Sequence, residues 1–154
     1  MLNIGIVGVG TISQKAYLPV MRSIGNVKWY MCTRNQEVLN RESKLLGRCI
    51  PCNSIEELLQ FPLDGVFIHV STNAHFEVAK QFLEKGIPVY IDKPVAPSYE
   101  KTLELYQVAK KHDTFIMAGF NRRFAPKVEV LKSVEDKKNY CRKELYGCFS
   151  RYKN

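Results

Sequence analysis

The stretch Gly8-Val9-Gly10-Thr11-Ile12-Ser13 follows directly on the apolar run Asn3-Ile4-Gly5-Ile6-Val7 and leads into a helix-forming segment. A buried strand that ends in a glycine turn and reverses into a helix leaves few architectures open. The rest of the chain keeps the same rhythm. Helical character is expected over residues 11–24, where Ile12, Ala16, Val20 and Ile24 recur at four-residue spacing and Pro19 marks a kink or early stop. Residues 27–32 read as a strand, and residues 36–46 as a helix ended by Gly47. Residues 48–52 make a short strand at best, and Ser54-Ile55-Glu56-Glu57 has the pattern of a capping box. A strand over 66–70, a helix over 74–85 stopped by Gly86, a strand over 87–91, a helix over 98–112 and a strand over 114–117 complete the series.

Strands alternating with helices imply right-handed crossovers and an α/β fold, a doubly wound, mostly parallel sheet covered on both faces. In such sheets ligands lie outside the carboxyl ends of the strands. Four segments then share one rim: the glycine turn, Cys32-Thr33-Arg34, Ser71-Thr72-Asn73 and Asp92-Lys93-Pro94. Asp92 and Lys93 also admit a plainer account, a solvated ion pair at a strand tip.

The glycine turn matches G-x-G-x-x-S. Gly8 permits the tight turn, and Gly10 lets backbone approach a pyrophosphate at the helix start, formed by Thr11 and Ile12, where free N–H groups favour anions. Ser13 stands where Gly or Ala is usual, and is small enough for close helix–strand packing. A nicotinamide dinucleotide is the expected ligand. NAD enzymes commonly place an acid at the end of the second strand, whereas here Thr33 and Arg34 come first and no carboxylate appears before Glu37. A guanidinium at Arg34 suits a 2′-phosphate, so NADP is preferred over NAD.

Composition narrows the remaining classes. At 154 residues with 45% apolar content the chain can bury one sizeable core. No run of about 18 uncharged apolar residues is present, so no membrane partner is expected. The first residues carry no secretory pattern, and the 5 cysteines have no framework spacing, which points to a reducing cytoplasm. Cys49-Ile50-Pro51-Cys52 resembles a redox pair but sits in a strand-like connector rather than at a helix start, and no metal site is expected. The net charge of +8 is uneven: residues 1–120 hold 13 Lys and Arg against 11 Asp and Glu, residues 121–154 hold 10 against 4. Without any nucleic-acid-binding pattern beside it, that basic tail does not favour a nucleic-acid partner. Of the 3 histidines, His69 reads as a satisfied core residue inside a strand and His112 as a helix end. His75 enters a helix on the ligand side, where it either serves the helix start structurally or orients the Asp92-Lys93 loop by hydrogen bonding.

These features together resemble the Gfo/Idh/MocA oxidoreductases, particularly the MviM-like subgroup, over residues 3 to about 127. The resemblance is carried by GIVGVGTISQKAYLP at 5–19, VFIHVSTNAHFEVAKQFLEKGIPV at 66–89, the DKP triplet at 92–94 and AGFNRRFAP at 118–126. The family pattern at the triplet is Glu-Lys-Pro, so Asp92 is shorter by one methylene with its charge kept. The resemblance implies a Rossmann-type domain over 1–120 and reversible hydride transfer between nicotinamide and a carbinol or carbonyl carbon of a sugar or polyol-like substrate. It places Lys93 beside the nicotinamide ribose and substrate as a binding or proton-transfer group, where partial desolvation suits acid/base work. It also implies a cis Lys93–Pro94 bond, Asn73 and His75 at the cofactor's border, and Asn121, Arg122 and Arg123 flanking it.

Family members continue into a second α+β domain that supplies most of the substrate pocket. Residues 121–154 are expected to be a linker and atypical basic tail, the truncated start of a substrate domain, whose last stretch around 137–144 departs from the family pattern. An apolar face left where that domain would pack would encourage homo-oligomers. The alternative to an oxidoreductase is a catalytically inactive dinucleotide-binding sensor or interaction module.

Overall fold

The computed structural model describes residues 1–120 together with Phe124, Ala125 and Val128. Met1–Gly119 forms one compact unit and Phe120–Asn154 a second. Asn121, Arg122 and Arg123, and the expected basic tail apart from the three residues named, lie outside the described residues.

The first unit is a six-stranded sheet in the order β3-β2-β1-β4-β5-β6. Its strands are β1 (Leu2–Val7), β2 (Val27–Cys32), β3 (Cys49–Cys52), β4 (Gly65–Ile68), β5 (Val89–Ile91) and β6 (Ile116–Ala118). Every neighbouring pair is parallel. This is the doubly wound order, in which the chain turns one way from β1 through β2 to β3 and the other way from β4 to β6. Right-handed crossovers then put the helices of the two halves on opposite faces.

The core divides accordingly. Ile6, Leu18, Met31 and Leu39 pack on one face, and Val7, Ile68, Phe82, Leu83, Ile91 and Leu105 on the other. Ile6 and Val7 are adjacent and both buried, as a strand covered on both sides requires. Each such side chain contributes about 1.5–3 kcal/mol by leaving water.

The helices are set by local caps. Asn35 Oδ1 accepts from the Val38 N–H at 3.1 Å to start α2 (Gln36–Leu46), which Gly47 closes at φ +63°. Ser54 Oγ accepts from the Glu57 N–H at 3.1 Å to start α3 (Ile55–Leu58), while Glu57 reaches back to the Asn53 N–H at 2.7 Å. Ser98 Oγ does the same for Lys101 at the head of α5 (Tyr99–Lys111), and α4 spans Thr72–Leu83.

The first helix departs from its sequence pattern. Residues 11–21 are helical, but Ser13–Tyr17 is a π-helical turn that runs into the short α1 (Leu18–Met21). The expected apolar stripe is not the buried one: Ile12, Val20 and Ile24 are exposed, and Ser13, Leu18 and Met21 are buried. The wider π turn delays the helix by one residue and shifts the core-facing positions away from the four-residue series. Pro19 falls at the start of α1, directly after the π turn, and the helix ends at Met21 rather than Ile24.

Smaller shifts affect the later elements. β4 ends at Ile68, so His69 stands just beyond the strand, and α4 begins two residues before the expected Ala74. β5 starts two residues late and β6 is displaced by one residue at its end.

Candidate functional site

The order β2-β1-β4 makes a switch point, since the chain leaves β1 on one side and enters β4 on the other. A cleft of about 710 Å³ opens there along the carboxyl ends of β1, β2, β3 and β4. Of the expected site residues, Gly8, Gly10, Thr33, Arg34 and Ser71 line it.

Gly8 has φ +88°, and a Cβ there would stand 2.8 Å from the backbone carbon and oxygen of His69. Both its conformation and the close approach of the β4 loop therefore exclude a side chain. A Cβ on Gly10 would meet nothing within 4 Å, so this glycine borders open space. The backbone beside it is tied down: the Val9 N–H donates to Thr33 Oγ1 at 3.4 Å, and Gln14 Nε2 donates to the Val9 carbonyl at 3.0 Å. Arg41 in turn holds Gln14 Oε1 at 2.9 Å. A bare backbone cradle facing an open cleft at the head of a helix fits a pyrophosphate.

The far wall was not foreseen. Asn53, Ser54, Ile55 and Glu56, from the end of β3 and the start of α3, join Arg34 and Asn35 around the cleft. The Glu56 carboxyl is held below the ordinary range by its own backbone N–H and by Ser54, so an anion and a guanidinium share this end.

At the opposite end, Asp92 does not pair with Lys93. His69 Nδ1–H donates to Asp92 Oδ2 at 2.9 Å and the Tyr17 O–H donates to Oδ1 at 2.8 Å. That occupies the Tyr17 proton, so the Tyr90 O–H is the donor in its 3.1 Å contact with Tyr17. Tyr17 also lies against the His69 ring, with centroids 4.2 Å apart. Burial disfavours the charged Asp92, but the His69 bond and charge, with Tyr17 behind them, outweigh it and hold the carboxyl below its usual range. Burial and the bonds to Tyr90 and Asp92 push the Tyr17 phenol strongly up.

His69 is therefore not the satisfied core residue expected. It is buried, but it anchors the Asp92 loop through one nitrogen, and its Nε2 has no partner among the described residues. Its place at a strand tip, beside Asp92, Tyr17 and the glycine turn, was hidden by the apolar run around it.

Lys93 is exposed, and the bond joining it to Pro94 is cis, as the resemblance implied. His75 does not border the cleft. It is buried on α4, with Nδ1 2.7 Å from the Pro94 carbonyl oxygen and Nε2 3.1 Å from that of Val70. Thr11, Ile12 and Asn73 are exposed beside the rim, Thr72 is half-buried at the head of α4, and none of them belongs to the cleft wall.

Cys49 and Cys52 alternate with the pleat of β3 and are free, as is Cys32, which pairs in register with Cys52. Burial raises all three thiols, Cys49 to about 12 and Cys52 to about 11. Among the described residues no group of three or more His, Cys, Asp or Glu side chains is placed to hold a metal, and no helix is long and apolar enough to cross a membrane.

Residues 2–120 match the model of the oxidoreductase family with an NAD-binding Rossmann fold, Gfo/Idh/MocA. The chain is 37% identical over 136 residues to a putative oxidoreductase, YceM, of Salmonella typhimurium, covering 86% of this chain and 43% of that protein. It is 28% identical over 133 residues to a myo-inositol 2-dehydrogenase of Thermotoga maritima, covering 85% and 40%. Among solved structures, a dehydrogenase (MviM) from Clostridium difficile superposes with a TM-score of 0.79 at 34% identity, over 86% of this chain and 44% of the other. The chain thus spans less than half the length of these relatives. With a parallel six-stranded sheet, a glycine cradle at its switch point and a family match across the whole of that unit, the chain belongs to the Gfo/Idh/MocA oxidoreductases, through their NAD-binding domain.

Proposed function

We propose that the cleft takes a nicotinamide dinucleotide, NADP in preference to NAD, and that the protein moves hydride between it and a carbinol or carbonyl carbon of a sugar or polyol. The observation that carries this reading is the open space in front of Gly10, bounded by four strand-end loops. The kinship with a myo-inositol 2-dehydrogenase supports the polyol class.

Gly8, Gly10 and the helix start at Thr11 and Ile12 cradle the pyrophosphate. Thr33 and Arg34 take the adenosine end, and Ser71, Thr72 and Asn73 flank the nicotinamide half. Lys93 would serve as the binding or proton-transfer group, with Asp92 and Pro94 on either side of it in the chain, and Asn121 and Arg122 would be the further cofactor-binding residues. When bound, the nicotinamide supplies or accepts the hydride. Holding and moving the substrate's hydroxyl proton falls to Lys93. A reducing, cytoplasmic setting belongs to the same reading, supported by three free thiols, and so does self-association, supported by exposed Phe115 and Met117.

Glu56 supports a second reading of cofactor choice. A carboxylate on the wall shared with Arg34 is suited to accept from a ribose 2′-hydroxyl, which favours NAD. Fluorescence titration of the chain with NADPH and NADH separates the two. Tighter NADPH binding that Arg34→Ala abolishes supports the first, and tighter NADH binding that Glu56→Gln weakens supports the second. Failure of either nucleotide to bind at millimolar concentration would remove the dinucleotide altogether.

A further inference from the structure

His75 has an acceptor on each side of its ring. Nδ1 lies 2.7 Å from the Pro94 carbonyl oxygen and Nε2 3.1 Å from the Val70 carbonyl oxygen. A neutral imidazole has one N–H, so it donates to one carbonyl and turns a lone pair toward the other. Only the ring protonated at both nitrogens closes both bonds.

The two carbonyls belong to different loops of the rim. Val70 follows β4, next to the backbone that crowds Gly8, and Pro94 follows β5, immediately after Lys93. We infer that His75 is a positioning residue for Lys93, whose doubly protonated ring ties the Lys93–Pro94 segment to the β4 loop, and that loss of one proton releases one of the two ties. The inference rests on reading the cleft as a dinucleotide site and gives that site a proton-dependent edge.

Burial of the ring works against a positive charge, and the neighbouring Asp92 carboxylate works for it. The Asp92 carboxylate at the end of β5 is the negative group whose field reaches His75. Its own hydrogen bonds are taken by His69 and Tyr17, so it attracts the imidazolium without bonding to it. Lys93 is exposed, and on α5 the Lys101 ammonium lies over the Phe76 ring at 5.0 Å while Glu104 is paired with Lys80. The pairing with two backbone carbonyls also explains why a histidine, rather than an amide side chain with a single donor end, fits between the loops.

The test has two parts on the chain as it stands. Ring ¹⁵N NMR across about pH 5 to 8, with signals assigned by removing His69 and His112 in turn, reads the His75 protons directly. Both nitrogens should carry a proton at the acid end, and one should be lost as pH rises. Affinity for NADPH or NADH, whichever binds more tightly, followed by fluorescence over the same range, should then weaken roughly three- to tenfold as that proton leaves, the worth of one net hydrogen bond. His75→Asn, which keeps one donor and cannot titrate, should lack that component, and His75→Gln serves if the first variant does not fold. A ring bearing a single proton throughout, or superimposable pH profiles for wild type and variant, would overturn the inference. Absence of both NADPH and NADH binding at every pH would instead overturn the dinucleotide reading, and the NMR result would still decide the state of the ring.

Discussion

His69 and Asp92 meet across the ends of β4 and β5, with Nδ1 2.9 Å from Oδ2. Since Tyr17 takes the other oxygen, the carboxylate is turned into the protein on both sides. The acid of the Asp-Lys-Pro triplet thus anchors the loop, and the lysine beside it is left to face outward.

Asp92 should be visible in acid stability. Its folded carboxyl is held below the unfolded range, so its contribution is complete above the unfolded value and disappears as pH falls through the lowered folded one. Asp92→Asn should cost about 1–3 kcal/mol at neutral pH, since a charge-assisted pair is lost, and should flatten the acid limb. Urea unfolding of both proteins at a series of pH values checks this, and parallel curves would contradict it.

The two glycines of the cradle should separate folding from binding. Gly8→Ala puts a Cβ at φ +88° and 2.8 Å from His69 backbone, so it should destabilise by at least about 2 kcal/mol. Gly10→Ala meets open space and should stay within about 0.5 kcal/mol of wild type. It should nonetheless weaken dinucleotide binding about tenfold or more, because its methyl group occupies the ligand's place. Thermal unfolding and NADH titration of the pair give the comparison.

Ser13 invites a stabilising change. Its Oγ is buried with no partner among the described residues, so the hydroxyl bears a desolvation cost without return. Ser13→Ala should raise stability by about 1 kcal/mol with an unchanged denaturant slope. A loss of stability would mean that the hydroxyl is bonded in solution.

The Cys49 and Cys52 thiols should be slow nucleophiles. Burial, reinforced by Cys52 at Cys49 and by Glu57 and Cys32 at Cys52, lifts them to about 12 and about 11, so little thiolate exists near neutral pH. Iodoacetamide at about pH 8 should spare both in the native chain and label both once it is unfolded, as peptide mass spectrometry would read. Native labelling at either position would disprove it.

The sheet was legible because Ile4, Ile6, Val66 and Ile68 sit in short apolar runs separated by helices that announce their own caps at Asn35, Ser54 and Ser98. The π turn was not, since Ile12, Val20 and Ile24 present a plausible helical stripe and nothing in residue type reports an extra residue per turn. Thr33, Arg34 and Ser71 could be placed because each lies within a few residues of a strand's carboxyl end. Asn53 and Glu56 follow one too, at the end of β3, and the same rule would have found them had that short edge strand been taken as part of the sheet. His69 needed the third dimension: its partner is 23 residues away, and only the register of β4 on β5 brings the two together.

The π turn has a consequence for how this chain tolerates insertion and deletion. Tyr17 closes the turn and reaches a carboxylate 75 residues further along. Its aim is set by how many residues precede it in the helix, whatever those residues are. Removing one residue between Ser13 and Tyr17 would restore an ordinary helical pitch, rotate the phenol away and leave Asp92 with His69 alone. Every side chain of the network would be intact, and the network would be broken by length.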